Sequence, residues 1–125
     1  MRSKAMAKER AIKPVVQFRL RIRKGEHVAI GPGKISLLEA IADTGSITAA
    51  ARQLSMSYRR AWLLVDEMNQ CMRGPVVETE TGGTKGGGSK LTATGASIVE
   101  QYRSIERRAE AAVATDLDRL LRQLA

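Results

Sequence analysis

One cysteine, Cys71, and one histidine, His27, make up the soft-ligand and redox chemistry of this 125-residue sequence. A single thiol closes no intrachain disulfide. Two such residues far apart supply no zinc ligand set, and they form no nucleophile–base dyad. The glycine-rich stretch is no phosphate loop either. Ser89 precedes Lys90, where GxxxxGK[ST] needs the lysine first, and GxGxxG does not fit. Neither an enzyme nor a bound cofactor or metal is expected. No apolar run approaches the ~18 residues of a membrane span. Met1 to Lys13 is basic without an apolar stretch, unlike a secretory leader. The expected compartment is the cytoplasm, with no membrane partner. Aromatics are also scarce, at 3%, while hydrophobic residues reach 43%. A core made of Leu, Ile, Val, Ala and Met favours packed helices. Cys71, between Met68 and Met72 in a helical pattern, belongs to that core or its edge.

What is abundant is positive charge. Lys and Arg number 21 against 13 Asp and Glu, a formal net charge of +8. Such an excess attracts polyanions by counterion release, which puts nucleic acid first among partners. The competing use of the charge is solubility.

Along the chain, residues 1–14 read as a flexible basic arm. Val15 to Arg23 alternates, with Phe18, Leu20 and Ile22 on one face and Gln17, Arg19, Arg21 and Arg23 on the other. That period predicts a half-buried strand, whose arginines either widen a positive face or solubilise an edge. Lys24-Gly25-Glu26 signals a turn, with His27 to Ile30 as a short partner strand. After Gly31-Pro32-Gly33, the helical recurrence of Ile35, Leu38, Ile41 and Ala42 ends at Gly45. Ser46 caps a second helix through Ala49-Ala50-Ala51 to about Leu54. Ser57 caps a third, whose inward stripe is Ala61, Val65, Met68 and Met72. Trp62 is assigned to the core. Val76 to Thr81 and Lys90-Leu91-Thr92 flank a glycine-rich loop and predict a β-hairpin.

From Thr94 onward Ile98, Tyr102, Ile105, Val113, Leu117, Leu120 and Leu124 trace a nearly heptad seam, with a stutter around Ala109 to Val113. The spacing fits one helix of roughly 45 Å, or two with a restart at Thr115-Asp116. The seam is expected to be a dimer interface; otherwise it folds back on its own domain.

The order strand, helix, helix, helix, hairpin, long helix is that of a winged helix-turn-helix. The expected fold is therefore mainly α with a small β wing, comprising a DNA-binding domain over residues 15–93 and a dimerisation helix over 94–125. A helix N-terminus carries partial positive charge and free N–H groups suited to a phosphate-lined groove. Ser57, Tyr58, Arg59 and Arg60 are placed there, supported by Ser46 and Thr48, with Lys85, Ser89 and Lys90 on the wing. The plainer alternative is a solvated corner of a helical bundle.

The run Ser46 to Ser57 resembles the helix-turn-helix of LysR-type regulators. The wider set is similar to the N-terminal domain of the molybdate-responsive ModE family: Ile35-Ser36-Leu37-Leu38, Thr44-Gly45-Ser46-Ile47, Ser57-Tyr58-Arg59-Arg60-Ala61-Trp62, Asp66-Glu67-Met68-Asn69-Gln70, Val77-Glu78, and Thr81-Gly82-Gly83 through Gly86-Gly87-Gly88. The resemblance covers roughly Phe18 to Arg108. It implies a homodimeric transcriptional regulator that binds palindromic duplex DNA, with molybdenum-related genes as its targets. Full-length members carry molybdate-binding domains beyond this region, and this sequence ends at Ala125, so direct molybdate binding is not expected of it. The rival class is a winged helix that binds protein and pairs with a separate sensor chain.

Overall fold

The computed structural model describes residues 8, 11–80 and 88–125. The chain forms two compact units, Arg19–Ile105 and a second made of Met1–Phe18 with Glu106–Ala125. The larger unit is the winged helix-turn-helix that the residue pattern implies. Strands β1 (Ile22–Lys24) and β2 (His27–Ile30) are followed by helices α1 (Pro32–Thr44), α2 (Ile47–Gln53) and α3 (Tyr58–Cys71). The hairpin β3 (Val77–Glu80) and β4 (Gly88–Leu91) comes next, then α4 (Ala93–Ala112) and α5 (Ala114–Leu121). Among the described residues the strands form two separate two-stranded antiparallel sheets.

The core sits where α1 meets α2, α3 and the hairpin. Ile35, Leu37, Leu38, Ile41, Met68 and Val76 are its largest fully buried side chains. Ala42, expected on the inner face of α1, is exposed, whereas Leu37 and Ala40 are buried. Neighbours on several sides of α1 make its apolar stripe wider than one seam and centre it away from Ala42. Gly45 ends α1 at φ 80° and its N–H donates to the Ile41 carbonyl. This is the left-handed stop that glycine adopts without Cβ cost.

The alternating segment Val15 to Arg23 is strand only at its end. β1 is three residues long, with a register irregularity between Ile22 and Arg23, and Ile22 is half exposed. Alternation marks which side chains could share a face, but a strand also needs a hydrogen-bonding neighbour along its length. Here β2 supplies one for its last residues alone.

The C-terminal region is two helices, divided at Val113 (φ −113°, ψ 16°). The Val113 N–H is shared between the Ala109 and Glu110 carbonyls at 3.3 Å each. The break falls at the stutter of the apolar seam, two residues before the Thr115 restart considered from spacing.

Candidate nucleic-acid interface

Two capping serines set the helix-turn-helix corner. Ala49 N–H donates to Ser46 Oγ at 3.0 Å, and Arg60 N–H donates to Ser57 Oγ at 3.1 Å. Each cap satisfies an N-terminal donor that the helix itself leaves unpaired. Between the helices Ser55 takes a left-handed φ of 56°, and Met56 N–H donates to the Ala51 carbonyl at 2.9 Å. Buried Ala50, Ala51 and Ala61 let the two helices approach closely, and Leu54 and Met56 pack into the corner.

The stripe Ala61, Val65 and Met68 turns inward. The first two turns of α3 therefore face solvent with Tyr58, Arg59, Arg60, Trp62 and Leu63. Among the described residues neither Arg59 nor Arg60 has an acidic partner. Ser57 and Thr48 are exposed and Ser46 is half-buried, close to the same corner. Trp62 corrects the sequence reading: it is 47% exposed and does not belong to the core. Its position, one residue past Ala61, puts it about 100° off the buried stripe. That spacing was the available signal, outweighed by the general tendency of tryptophan to be buried. Farther along α3 charge changes sign at Asp66 and Glu67, so the cationic part of the helix is its N-terminal half.

The wing is fixed to this corner by backbone bonds. Asn69 of α3 accepts from the Val76 and Val77 N–H groups at 2.8 and 3.3 Å. Thr92 Oγ1 donates to the Pro75 carbonyl at 2.6 Å and accepts from Gly95 N–H at 3.0 Å, capping α4. Ser89 N–H donates to the Gly45 carbonyl at 2.8 Å. Ser89, opposite Thr79 and one pair from the loop end of the hairpin, is buried at 8% exposure, which corrects its placement as an open DNA contact. Its backbone N–H anchors the wing to the end of α1. Lys85 lies outside the described residues. Lys90 is exposed but faces acidic neighbours across the strands, 3.3 Å from Glu80 and 3.9 Å from Glu78. Exposed pairs of this kind contribute only about 0–1 kcal/mol, so they compete with a phosphate without excluding it. The double variant Glu78→Gln/Glu80→Gln is expected to raise duplex affinity several-fold at low salt, an advantage that fades as salt screens it. Gel-shift titrations of both proteins at two salt concentrations check this.

Sequence reasoning missed the polar bond inside the domain. The Lys34 side chain is buried at 6% exposure, and its ammonium donates to the Val28 carbonyl and to Glu67. His27 Nδ1 lies 3.8 Å from the same carboxylate. These contacts tie β2 and α1 to α3. The hydrogen bond from Lys34, helped by the charges of Lys34 and His27 and opposed by burial, holds Glu67 below the ordinary carboxylate range. A depressed folded-state value stabilises the fold above the unfolded-state value and is lost as pH falls through the folded one. Melting temperature should therefore decline below about pH 4.3, and Glu67→Gln should flatten that decline. Thermal melts of both proteins across an acid series measure it.

Of the seam residues, Tyr102 is corrected. It is 3% exposed in the core of the larger unit, where its hydroxyl donates to the Leu20 carbonyl at 2.7 Å. A side chain already covered by its own chain has no area left to bury against another. Ile98, Val113 and Leu117 are half-buried, whereas Ile105, Leu120 and Leu124 are exposed at 47%, 66% and 59%. No residue of α5 is buried. Cys71 is free and half-buried. Among the described residues no group of three His, Cys, Asp or Glu side chains could hold a metal ion. No helix among them is long and apolar enough to cross a membrane.

The sequence is similar to those of several known proteins. The chain is 44% identical over 77 residues to the molybdenum-pterin-binding protein MopB of Rhodobacter capsulatus, covering 62% of this chain and 28% of that protein. It is 42% identical over 96 residues to the molybdenum transport protein ModE of Azotobacter vinelandii, covering 77% and 34%. To the DNA-binding transcriptional dual regulator ModE of Escherichia coli K12 it is 44% identical over 71 residues, covering 57% and 27%. The chain thus spans about a third or less of the length of these relatives. Residues 33–96, just over half of the chain, match the bacterial regulatory helix-turn-helix proteins of the lysR family. They run from α1 through the capped corner, the outward face of α3 and the wing into the start of α4, and on that match the chain belongs to the lysR family of bacterial regulatory helix-turn-helix proteins.

Proposed function

We propose that this regulator binds specific duplex DNA sites as a homodimer, with the N-terminal half of α3 in the major groove and the wing alongside. The observation that carries this reading is the uncovered cationic end of α3, where Arg59 and Arg60 stand exposed beside a capped helix N-terminus. A protein that presents such a surface, and whose family is one of DNA-binding regulators, acts by binding and not by catalysis. The names of the relatives support molybdenum-related genes as its targets.

In the same reading residues 15–93 bind DNA and residues 94–125 provide the dimer contact, through Ile98, Ile105, Val113, Leu117, Leu120 and Leu124. Exposed Ile105, Leu120 and Leu124 support this, because apolar side chains left in water favour association. Two-fold symmetry would set the recognition helices about 34 Å apart, one turn of the duplex.

Gel-shift titration against duplex selected from a genomic library, run from roughly 50 to 200 mM salt, tests the proposal. With 6–10 phosphate contacts, affinity should fall on the order of 10³-fold or more over that range. Sedimentation of the free protein should show a dimer. Failure to shift any selected duplex at roughly 50 mM salt would remove the DNA reading and favour the protein-binding alternative.

A further inference from the structure

We propose that Trp62, with Tyr58 one turn before it, recognises thymine methyl groups in the major groove and so selects sequence through an apolar contact. This deepens the reading of α3 as the recognition helix and rests on it. The protein has a single tryptophan and few other aromatics. Its helix packs inward through Ala61, Val65 and Met68, yet the indole remains 47% exposed. Tyr58 is 53% and Leu63 49% exposed, so three large apolar side chains crowd the first two turns of one short helix.

Helical spacing puts Tyr58 and Trp62 in one row and Arg59 and Leu63 in the next, so each aromatic has the Arg59 row beside it. An apolar patch set among cations is poorly matched to phosphate alone. The major-groove edge offers one apolar group, the C5 methyl of thymine, next to the acceptor atoms that arginine reads. A row of aromatics beside a row headed by arginine matches that alternation of methyl and acceptor. The patch is bounded one turn farther on by Asp66, whose carboxylate accepts from Gln70 Nε2 at 2.8 Å. A negative group there repels phosphate and confines the groove contact to the aromatic end of α3.

The test uses the intact chain and its selected duplex, with each thymine replaced in turn by deoxyuracil, which removes the methyl and nothing else. The parent should bind about fourfold more weakly at one or two of these positions, the effect of one buried methyl group. Trp62→Ala should bind the thymine and deoxyuracil duplexes equally at those positions, and Trp62→Phe should keep part of the discrimination. Emission from the lone tryptophan should also change when the duplex is added. Indifference of the parent to every replacement, or an unchanged penalty in Trp62→Ala, overturns the proposal. Arg59→Ala separates the two levels of the argument. If it loses affinity while no thymine methyl matters, the recognition helix stands and the role of Trp62 falls. If Arg59→Ala and Trp62→Ala both bind like the parent, the placement of α3 in the groove falls as well.

Discussion

Gly95→Ala is expected to destabilise the domain by about 3 kcal/mol or more, although alanine is the better helix former. On propensity alone, the change should gain about 1 kcal/mol within a helix. Instead, a Cβ built at Gly95 would lie 2.1 Å from the Val76 carbonyl oxygen and 3.0 Å from its carbon. These are backbone atoms, held in place because Val76 N–H is bound by Asn69 and the Val76 carbonyl accepts from Thr92 N–H at 3.0 Å. No side chain can swing aside, so α4 must shift away from the base of the wing. Overpacking of this kind costs typically 1–3 kcal/mol, and more where rigid backbone is the obstacle. For a chain of this size the melting temperature should fall by roughly 10 °C or more. Gly45→Ala is the milder companion. It has open space around it but a φ of 80°, which costs an alanine about 1–2 kcal/mol. Thermal melts that rank Gly95→Ala above Gly45→Ala would support the close approach of α4 to Val76. Parent-like stability of Gly95→Ala would refute it.

Arg59→Ala and Arg60→Ala should behave in the opposite way, with binding lost and stability kept. Both side chains are exposed on α3 and neither has an acidic partner among the described residues. Arginine and alanine are both good helix formers, so the melting temperature should stay near that of the parent. A guanidinium paired to a guanine edge is worth about 1–3 kcal/mol, roughly 5- to 150-fold in affinity. The pattern of loss distinguishes the two roles. A base contact should relax preference at one position of the site, whereas a phosphate contact should weaken all duplexes alike and lower the salt slope by about one. Affinity unchanged in both variants would remove α3 from the groove.

The same contrast between local and distant neighbours separates the features legible in the residues from those that were not. Ser46 and Ser57 cap their helices because a serine side chain satisfies the N–H three residues on, an interaction contained in one turn. Gly45 stops α1 for an equally local reason. The inward run Ala61, Val65, Met68 follows from helical period alone. The alternation implied the hairpin, but its second strand is Gly88–Leu91 and not Lys90 to Thr92, with Val77 opposite Leu91 and Thr79 opposite Ser89. The alternation before Arg23 was no less regular, yet most of it forms no ladder, because pairing depends on a partner that the segment does not carry.

Local chemistry written in the order of residues, namely caps, stops, periods and an excess of cations, was enough to determine the winged helix-turn-helix and the cationic end of α3 that faces solvent. Only the folded arrangement decided that Lys34 is buried against Glu67, that Ser89 is an anchor, that Lys90 is shared with Glu78 and Glu80, and that Tyr102 is enclosed while Trp62 is open. Each of those outcomes depends on what another element, far along the chain, brings to the same few ångströms. A pattern of types and spacings does not carry that distance.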